Sequence, residues 1–170
     1  VVVKVGLGLL GLIALTIGFV ALAGSRLPVE HTAARSVMVP VAPEAAFATI
    51  ADFGAAPRWR TGLDSVAIDE GPPRRVTEIS GSDRLSLEVV SSTPPVGLVT
   101  RIVGAGAFGG SWEYRVAPEE GGSRVTITER GEVYNPIFRF MSAYLIGHTA
   151  TLDQYLGDLA RKLGGDGAIQ

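Results

Sequence analysis

Between Leu63 and Val133 the chain is cut into short runs rich in β-branched and aromatic residues: LDSVAIDE, RRVTEIS, RLSLEVV, LVTRIV, SWEYRV and RVTITERGEV. The spacers between them are GPP, GSD, SSTPPVG, GAGAFGG and APEEGGS. Connections this short cannot hold a crossover helix, so parallel βαβ units are excluded and an antiparallel meander of about six strands is expected. A further strand is predicted ahead of it, where AARSVMVPV at 33–41 alternates loosely and ends near a proline.

Helical periodicity flanks these runs. Pro43 and Glu44 suit a helix N-terminus, Phe47, Ile50 and Phe53 follow at helical spacing, and Gly54 stops the run. The stretch Ala55–Arg60, with Pro57 and Trp59, predicts a second short helix or turn. After Asn135-Pro136 a long helix is expected to about Leu163, ended by Gly164-Gly165. At ~100° per residue Phe138, Met141, Leu145, Leu152, Leu156, Leu159 and Leu163 share one stripe, with His148 at its margin. Such a helix must lie across one face of the sheet, because nothing else is long enough to cover it. The fold class is therefore α+β, with about seven antiparallel strands and a long C-terminal helix.

The N-terminal region differs in kind. Val5–Ala23 is a run of nineteen residues without a charge, close to what spans a hydrocarbon core as a helix. A cleaved secretory signal competes, since Lys4 precedes the run and Ala21-Leu22-Ala23 resembles a cleavage site, but the apolar run exceeds the usual signal core. The expected organisation is an anchor at 1–25, a juxtamembrane linker at 26–32 holding His31, a folded domain at 33–165 and a flexible tail at 166–170. Basic residues nearly balance across the apolar run, and a short N-terminal tail held inside would leave the domain extracytoplasmic.

Composition removes several function classes. The 170 residues suit one domain. With no cysteine there is no disulfide, thiolate metal site or cysteine nucleophile. Fifteen basic residues interspersed with seventeen acidic ones give no footprint for a nucleic acid. Two histidines offer no metal-ligand cluster, and no cofactor is expected. Gly104–Gly109 spells G-x-G-x-x-G but leads into the strand alternation Ser111–Val116 rather than a helix, so a dinucleotide site is rejected and a glycine hairpin expected.

The order of strand, two short helices, meander and long terminal helix resembles the helix-grip fold of the START-like superfamily, which includes polyketide cyclases and lipid-transfer domains. PVAPEAAFATIADFGAAPRW at 40–59, GGSWEYRV at 109–116 and RVTITERGEVYNPIFRF at 124–140 carry the resemblance. It implies a hydrophobic cavity between the curved sheet and the terminal helix.

Several residues are candidates to line that cavity. Trp112 and Tyr114 share a strand face with Val116, and Leu87 lies on RLSLEVV. Phe47 and Trp59 are weaker candidates, more often plain packing. On the last strand Val125, Ile127 and Glu129 have one parity, so Glu129 intrudes among inward apolar positions unless the strand ends or bulges before it. A carboxylate there needs a partner. His148, Tyr144 and Arg101 are the candidates, the parity of Arg101 being ambiguous. Met141, Leu145 and Leu152 would line the cavity from the helix. A Ser-His-Asp triad is excluded, because Ser142 and Asp153 lie six and five positions from His148 on one continuous helix.

The function expected is a membrane-tethered domain that binds an apolar or amphipathic small molecule, a lipid or polyketide-like compound. One alternative is a cyclase or dehydratase with Glu129 or His148 as general base. The other is a non-catalytic accessory protein with a packed interior and an apolar patch that contacts a membrane partner.

Overall fold

The computed structural model describes residues 2–170, with side chains for all of these except residues 2–9 and Ile146. A meander of β2 (Ser65–Asp69), β3 (Arg75–Ser80), β4 (Asp83–Thr93), β5 (Gly97–Val103), β6 (Phe108–Glu119) and β7 (Gly122–Val133) follows β1 (Glu30–Val39). All pairings are antiparallel, and the sheet order β1-β7-β6-β5-β4-β3-β2 places the first strand beside the last. Gly104–Ala107 is the tight β5–β6 connection, so the glycine-rich stretch does form a hairpin.

Between β1 and β2 come α2 (Pro43–Ala51), with proline in its first turn, and a 3₁₀ turn over Phe53–Arg58 whose first free N–H, that of Ala55, bonds to the Asp52 carboxylate at 3.0 Å. Phe47, Ile50 and Phe53 all turn inward, as their spacing predicts.

The single helix expected from Asn135 to Leu163 is instead three pieces. The Asn135 side chain caps α3 (Pro136–Met141), a π turn spans Ser142–Ile146, and α4 (Ala150–Leu163) begins only after Gly147–Thr149. Gly147, at φ +84°, closes the π turn by donating its N–H to the Ser142 carbonyl. A π turn and a non-helical step break the 100° phase, so the predicted stripe does not exist as one face. Leu152, Leu156 and Leu159 are fully buried against the sheet, whereas Phe138 and Leu145 are 53% and 67% exposed. Each buried leucine contributes about 1.5–3 kcal/mol by removal from water.

Two boundaries also change. The expected linker at 26–32 is strand from Glu30 onward. The expected flexible tail at 166–170 folds back on β1, where Ser36 and Gln170 exchange two backbone hydrogen bonds of 2.9 Å. The apolar run at 5–23 lies within α1 (Val2–Ser25), but its first residues fall outside the described side chains; among the described residues no helix is long and apolar enough to cross a membrane.

Asp158 fastens α4 to the loop after the 3₁₀ turn. It is 3% exposed and accepts bonds from the Thr61 N–H (2.6 Å), the Thr61 hydroxyl (3.0 Å) and Arg161 (2.8 Å). Burial by itself would raise its pKa, but the donors from Thr61 and Arg161 outweigh it and hold the carboxyl below its ordinary value. Asp158→Ala should lower the unfolding free energy by about 3 kcal/mol, because Thr61 then loses its partners. Asp158→Asn, which keeps an acceptor, should lose clearly less; guanidinium denaturation of both variants checks this.

Candidate functional site

The α4 helix covers only part of the concave sheet face, and beyond its N-terminus a cavity of about 420 Å³ remains. Inward positions of four strands wall it: Leu85 and Leu87 on β4, Thr100 and Ile102 on β5, Trp112 and Tyr114 on β6, Glu129 and Gly131 on β7. The rim is made by Phe108, Phe138, Met141, Gly147 and His148. A larger groove of about 800 Å³ lies against outward side chains such as Thr32, Arg101, Thr128 and Arg130. It shares His31, Ile102, Phe108 and Gly131 with the cavity, but the rest of its wall is mostly polar side chains on the outer face, so it lacks the apolar enclosure of a small-molecule site.

Glu129 is the central polar group of the cavity. The last strand runs on to Val133 without ending before it, so the carboxylate stays on the inward face. Its side chain is 19% exposed. One oxygen accepts from the Trp112 indole N–H at 3.0 Å, directly across the β6–β7 ladder, and the other lies 3.3 Å from His31 Nε2. His31 reaches it by lying over Gly131, its cross-strand partner; a Cβ at Gly131 would overlap the imidazole ring. Glycine at 131 thus makes the histidine–carboxylate contact possible.

The His148 ring stacks on His31 at 4.1 Å with an interplanar angle of 29°, and its Nδ1 lies 3.0 Å from the Ser142 hydroxyl. This corrects the exclusion of a serine–histidine contact, which assumed a continuous helix. The acid does not follow, because Asp153 accepts instead from Arg35 Nε at 3.0 Å. Burial, followed by the positive field of His31, holds the His148 pKa below its ordinary value against the opposing pull of Glu129.

A second polar pair closes the inner end of the cavity. Arg60 donates to both Glu78 carboxylate oxygens through its two terminal guanidinium nitrogens, Nη1 and Nη2, and its guanidinium carbon lies 5.0 Å from the Tyr155 ring centre. Burial alone would lower the Arg60 pKa, but the Glu78 carboxylate outweighs it and raises it. Tyr114 and Tyr155, with ring centres 5.6 Å apart, have their phenol pKa values pushed up by burial.

Among the sequence candidates, Leu87, Trp112, Tyr114, Glu129, Met141 and His148 do meet at the cavity. Phe47, Trp59, Ile127 and Leu152 are core residues that do not line it, Trp59 meeting Tyr155 edge to face. Arg101 points outward to Glu88 at 2.9 Å because Ile102 takes the inward position. Tyr144 and Leu145, at 64% and 67% exposure, leave the cavity with the π turn. The partners anticipated for Glu129 were His148, Tyr144 and Arg101; its hydrogen bonds go to His31 and Trp112. His31, Arg60, Glu78 and Thr100 were not anticipated. Strand parity carries a signal for Glu78, which shares the inward face of β3 with Val76, and for Thr100 between Leu98 and Ile102. No local pattern points to Arg60.

The lowered His148 pKa fixes a pH dependence. In the unfolded chain the imidazole takes up its proton near pH 6.5, and in the fold only at lower pH, so the unfolded state binds more protons in that window. Stability is full above about pH 6.5 and falls as the pH drops below it. His148→Gln should flatten that part of the profile. Amide exchange of residues 142–149 between pH 7.5 and 5 should show faster opening at the acid end in the wild type only.

The sequence matches the profile of the polyketide cyclase/dehydrase and lipid transport family over residues 30–164, and it matches no curated protein. Among solved structures it is similar to a START superfamily protein from Mycobacterium smegmatis, with TM-score 0.63, 15% identity, and coverage of 79% of this chain and 97% of that one. It is also similar to a protein from Thermobifida fusca (TM-score 0.62, 18% identity, 78% and 93% coverage). A third similar structure is the di-domain ARO/CYC BexL from the BE-7585A biosynthetic pathway, with TM-score 0.68, 9% identity, 83% of this chain covered and 52% of that one. The chain thus spans about half of that di-domain protein, and at these identities the likeness is one of fold. The expected helix-grip sheet is present, closed by a terminal helix, and with the profile matched from the first strand to the end of α4 the chain belongs to the polyketide cyclase/dehydrase and lipid transport family.

Proposed function

We propose that the domain binds an amphipathic small molecule, a lipid or polyketide-like compound, in the cavity between the sheet and the segment that precedes α4. The observation that carries this is a cavity of about 420 Å³, walled largely by leucine, isoleucine, tryptophan and tyrosine, with ion-paired groups at two stations, Glu129–His31 and Arg60–Glu78, and the hydroxyls of Thr100, Ser142 and Thr151 besides. Few, fixed polar groups on an apolar wall are the usual composition of a small-molecule site. The apolar body of the guest lies along Leu87, Ile102 and Tyr114. Its polar group meets Glu129, His31 and His148 near the rim. An accessory protein that used the fold only for outside contacts would have a packed interior, which the cavity disfavours.

The same proposal places the domain at a membrane through α1. Two features support it: the uncharged run from Val5 to Ala23, and the outward exposure of Leu10, Leu12, Leu15, Ile17, Phe19 and Leu22 around the helix. A tether of this kind keeps the cavity close to whatever partitions into the bilayer.

A cyclase or dehydratase is the second possibility, favoured by Glu129 held at 3.3 Å from an imidazole inside the cavity. Here the carboxylate or His148 would take a proton from the guest.

Two measurements separate these. Trp59→Phe leaves Trp112 as the sole tryptophan, since the chain has two. Its emission should change saturably when anilinonaphthalene sulfonate or oleate is added. Thr100→Trp in a second protein, filling the cavity, should weaken binding at least tenfold while leaving the fold intact by circular dichroism; unchanged binding would refute the cavity as the site. Glu129→Gln should weaken or re-orient the guest. Turnover of a polyketide-like substrate that disappears in both Glu129→Gln and His148→Gln would favour the enzyme.

A further inference from the structure

The short α3 helix touches two things at once. On one side it receives the end of α1: Gly24 is buried against the Pro136 carbonyl, where any Cβ would overlap it, and the Phe140 Cβ lies 3.4 Å from the same position. Arg139 Nη1 reinforces this by donating to the Leu27 carbonyl at 3.0 Å. On the other side Phe138 and Met141 form part of the cavity rim, and the π turn continues from there to Ser142 and His148. The apolar helix and the cavity mouth are therefore joined through six residues.

The outer surface of this junction is apolar. Phe138, Tyr144 and Leu145 are 53%, 64% and 67% exposed, and Ile137 and Tyr134 add to the same surface. Residues 134–149 contain no acidic side chain, and their only basic group besides His148 is Arg139. The patch is continuous with α1, whose large side chains from Leu10 to Leu22 face outward. Exposed tyrosine and phenylalanine next to an apolar helix end match the chemistry of the boundary between lipid headgroups and acyl chains. Arg26, exposed just past the helix, is placed for headgroup phosphates.

We infer that α3 and the π turn rest in the interfacial layer of a lipid bilayer, so that the cavity opens directly onto the leaflet and its guest loads from lipid rather than from water. This rests on the membrane placement of α1 proposed above. The occupant of the patch is the bilayer, because the patch forms one surface with α1 and carries no acidic group that a headgroup layer would repel.

The absence of cysteine allows single labels on the full chain. Ile17→Cys, Leu145→Cys and Val96→Cys, the last at the β4–β5 turn on the opposite end of the sheet, are each labelled with a nitrobenzoxadiazole dye. Each protein is reconstituted in phosphatidylcholine–phosphatidylglycerol vesicles containing brominated lipid. The expected result is strong quenching at 17, intermediate quenching at 145 and none at 96. Quenching at 17 without quenching at 145 overturns the interfacial mouth and leaves the anchor standing. No quenching at 17 overturns both. A dye at 145 that turns blue but is not quenched by bromolipid reports a protein contact and also overturns the proposal. As a functional arm, Tyr144→Asp combined with Leu145→Asp, neither of which lines the cavity, should leave binding of anilinonaphthalene sulfonate from water unchanged. The same pair should slow uptake of a fluorescent fatty acid from vesicles at least tenfold; equal uptake rates refute loading from the leaflet.

Discussion

The helix that closes the sheet is shorter than the face it must cover. At ~1.5 Å per residue the fourteen residues of α4 reach ~21 Å, whereas the twelve residues of β7 run to ~40 Å. A continuous helix from Asn135 would have covered the difference and packed it with Phe138 and Leu145. Breaking the helix at 142–149 instead turns those side chains outward and leaves a space above Glu129. Cavity, rim and exposed patch all descend from that one break. Dense packing is the default of protein interiors, so a space of this size persists only where the surrounding elements are fixed by other contacts. Asp158 with Thr61 on one side and the β1–β7 ladder on the other supply them.

Two carboxylates occupy inward strand positions, and both are held by cations or donors. Glu78 is gripped by Arg60, and Glu129 by the Trp112 N–H and His31. Buried pairs of this kind add little net stability, because the loss of hydration offsets most of the attraction. What they supply is position. Each carboxylate presents its charge to the cavity at a fixed place, and the apolar wall between them separates the two stations. On the proposed function, a guest with one polar end would satisfy one station and leave the inner ion pair undisturbed, which is the reason for proposing an amphipathic molecule rather than a uniformly polar one.

The sheet was legible because strand period is rigid: successive side chains alternate faces without drift, so the inward positions of β6 and β7 follow from parity alone. Glu129, Trp112 and Tyr114 were reached that way. Glu78 obeys the same rule, but a six-residue strand with one fully buried apolar neighbour gives a weak pattern. Helical phase is less forgiving, since one π turn shifts everything beyond it, and the stripe through Met141, Leu145 and Leu152 failed at Gly147. His31 was hidden because Leu27–Glu30, with Pro28, shows no alternation; the strand is extended there by the bond from the Val133 N–H to the Val29 carbonyl at 2.9 Å. Arg60 follows a 3₁₀ turn with no period at all, and only the tertiary fold brings it to Glu78. Local patterns thus identified the wall of the site, while its partners came from contacts distant in sequence.

Both jaws of the cavity mouth are tied to one short stretch of chain. Gly24 and Leu27 hold α3 on one side, and His31, four residues later, holds Glu129 and stacks on His148 on the other. A displacement of α1 relative to the sheet must therefore move α3, the histidine stack, or both. The histidine stack is a contact between two side-chain rings 4.1 Å apart, whereas Gly24 lies so close to the Pro136 backbone that a Cβ would overlap its carbonyl, so the stack is the softer link.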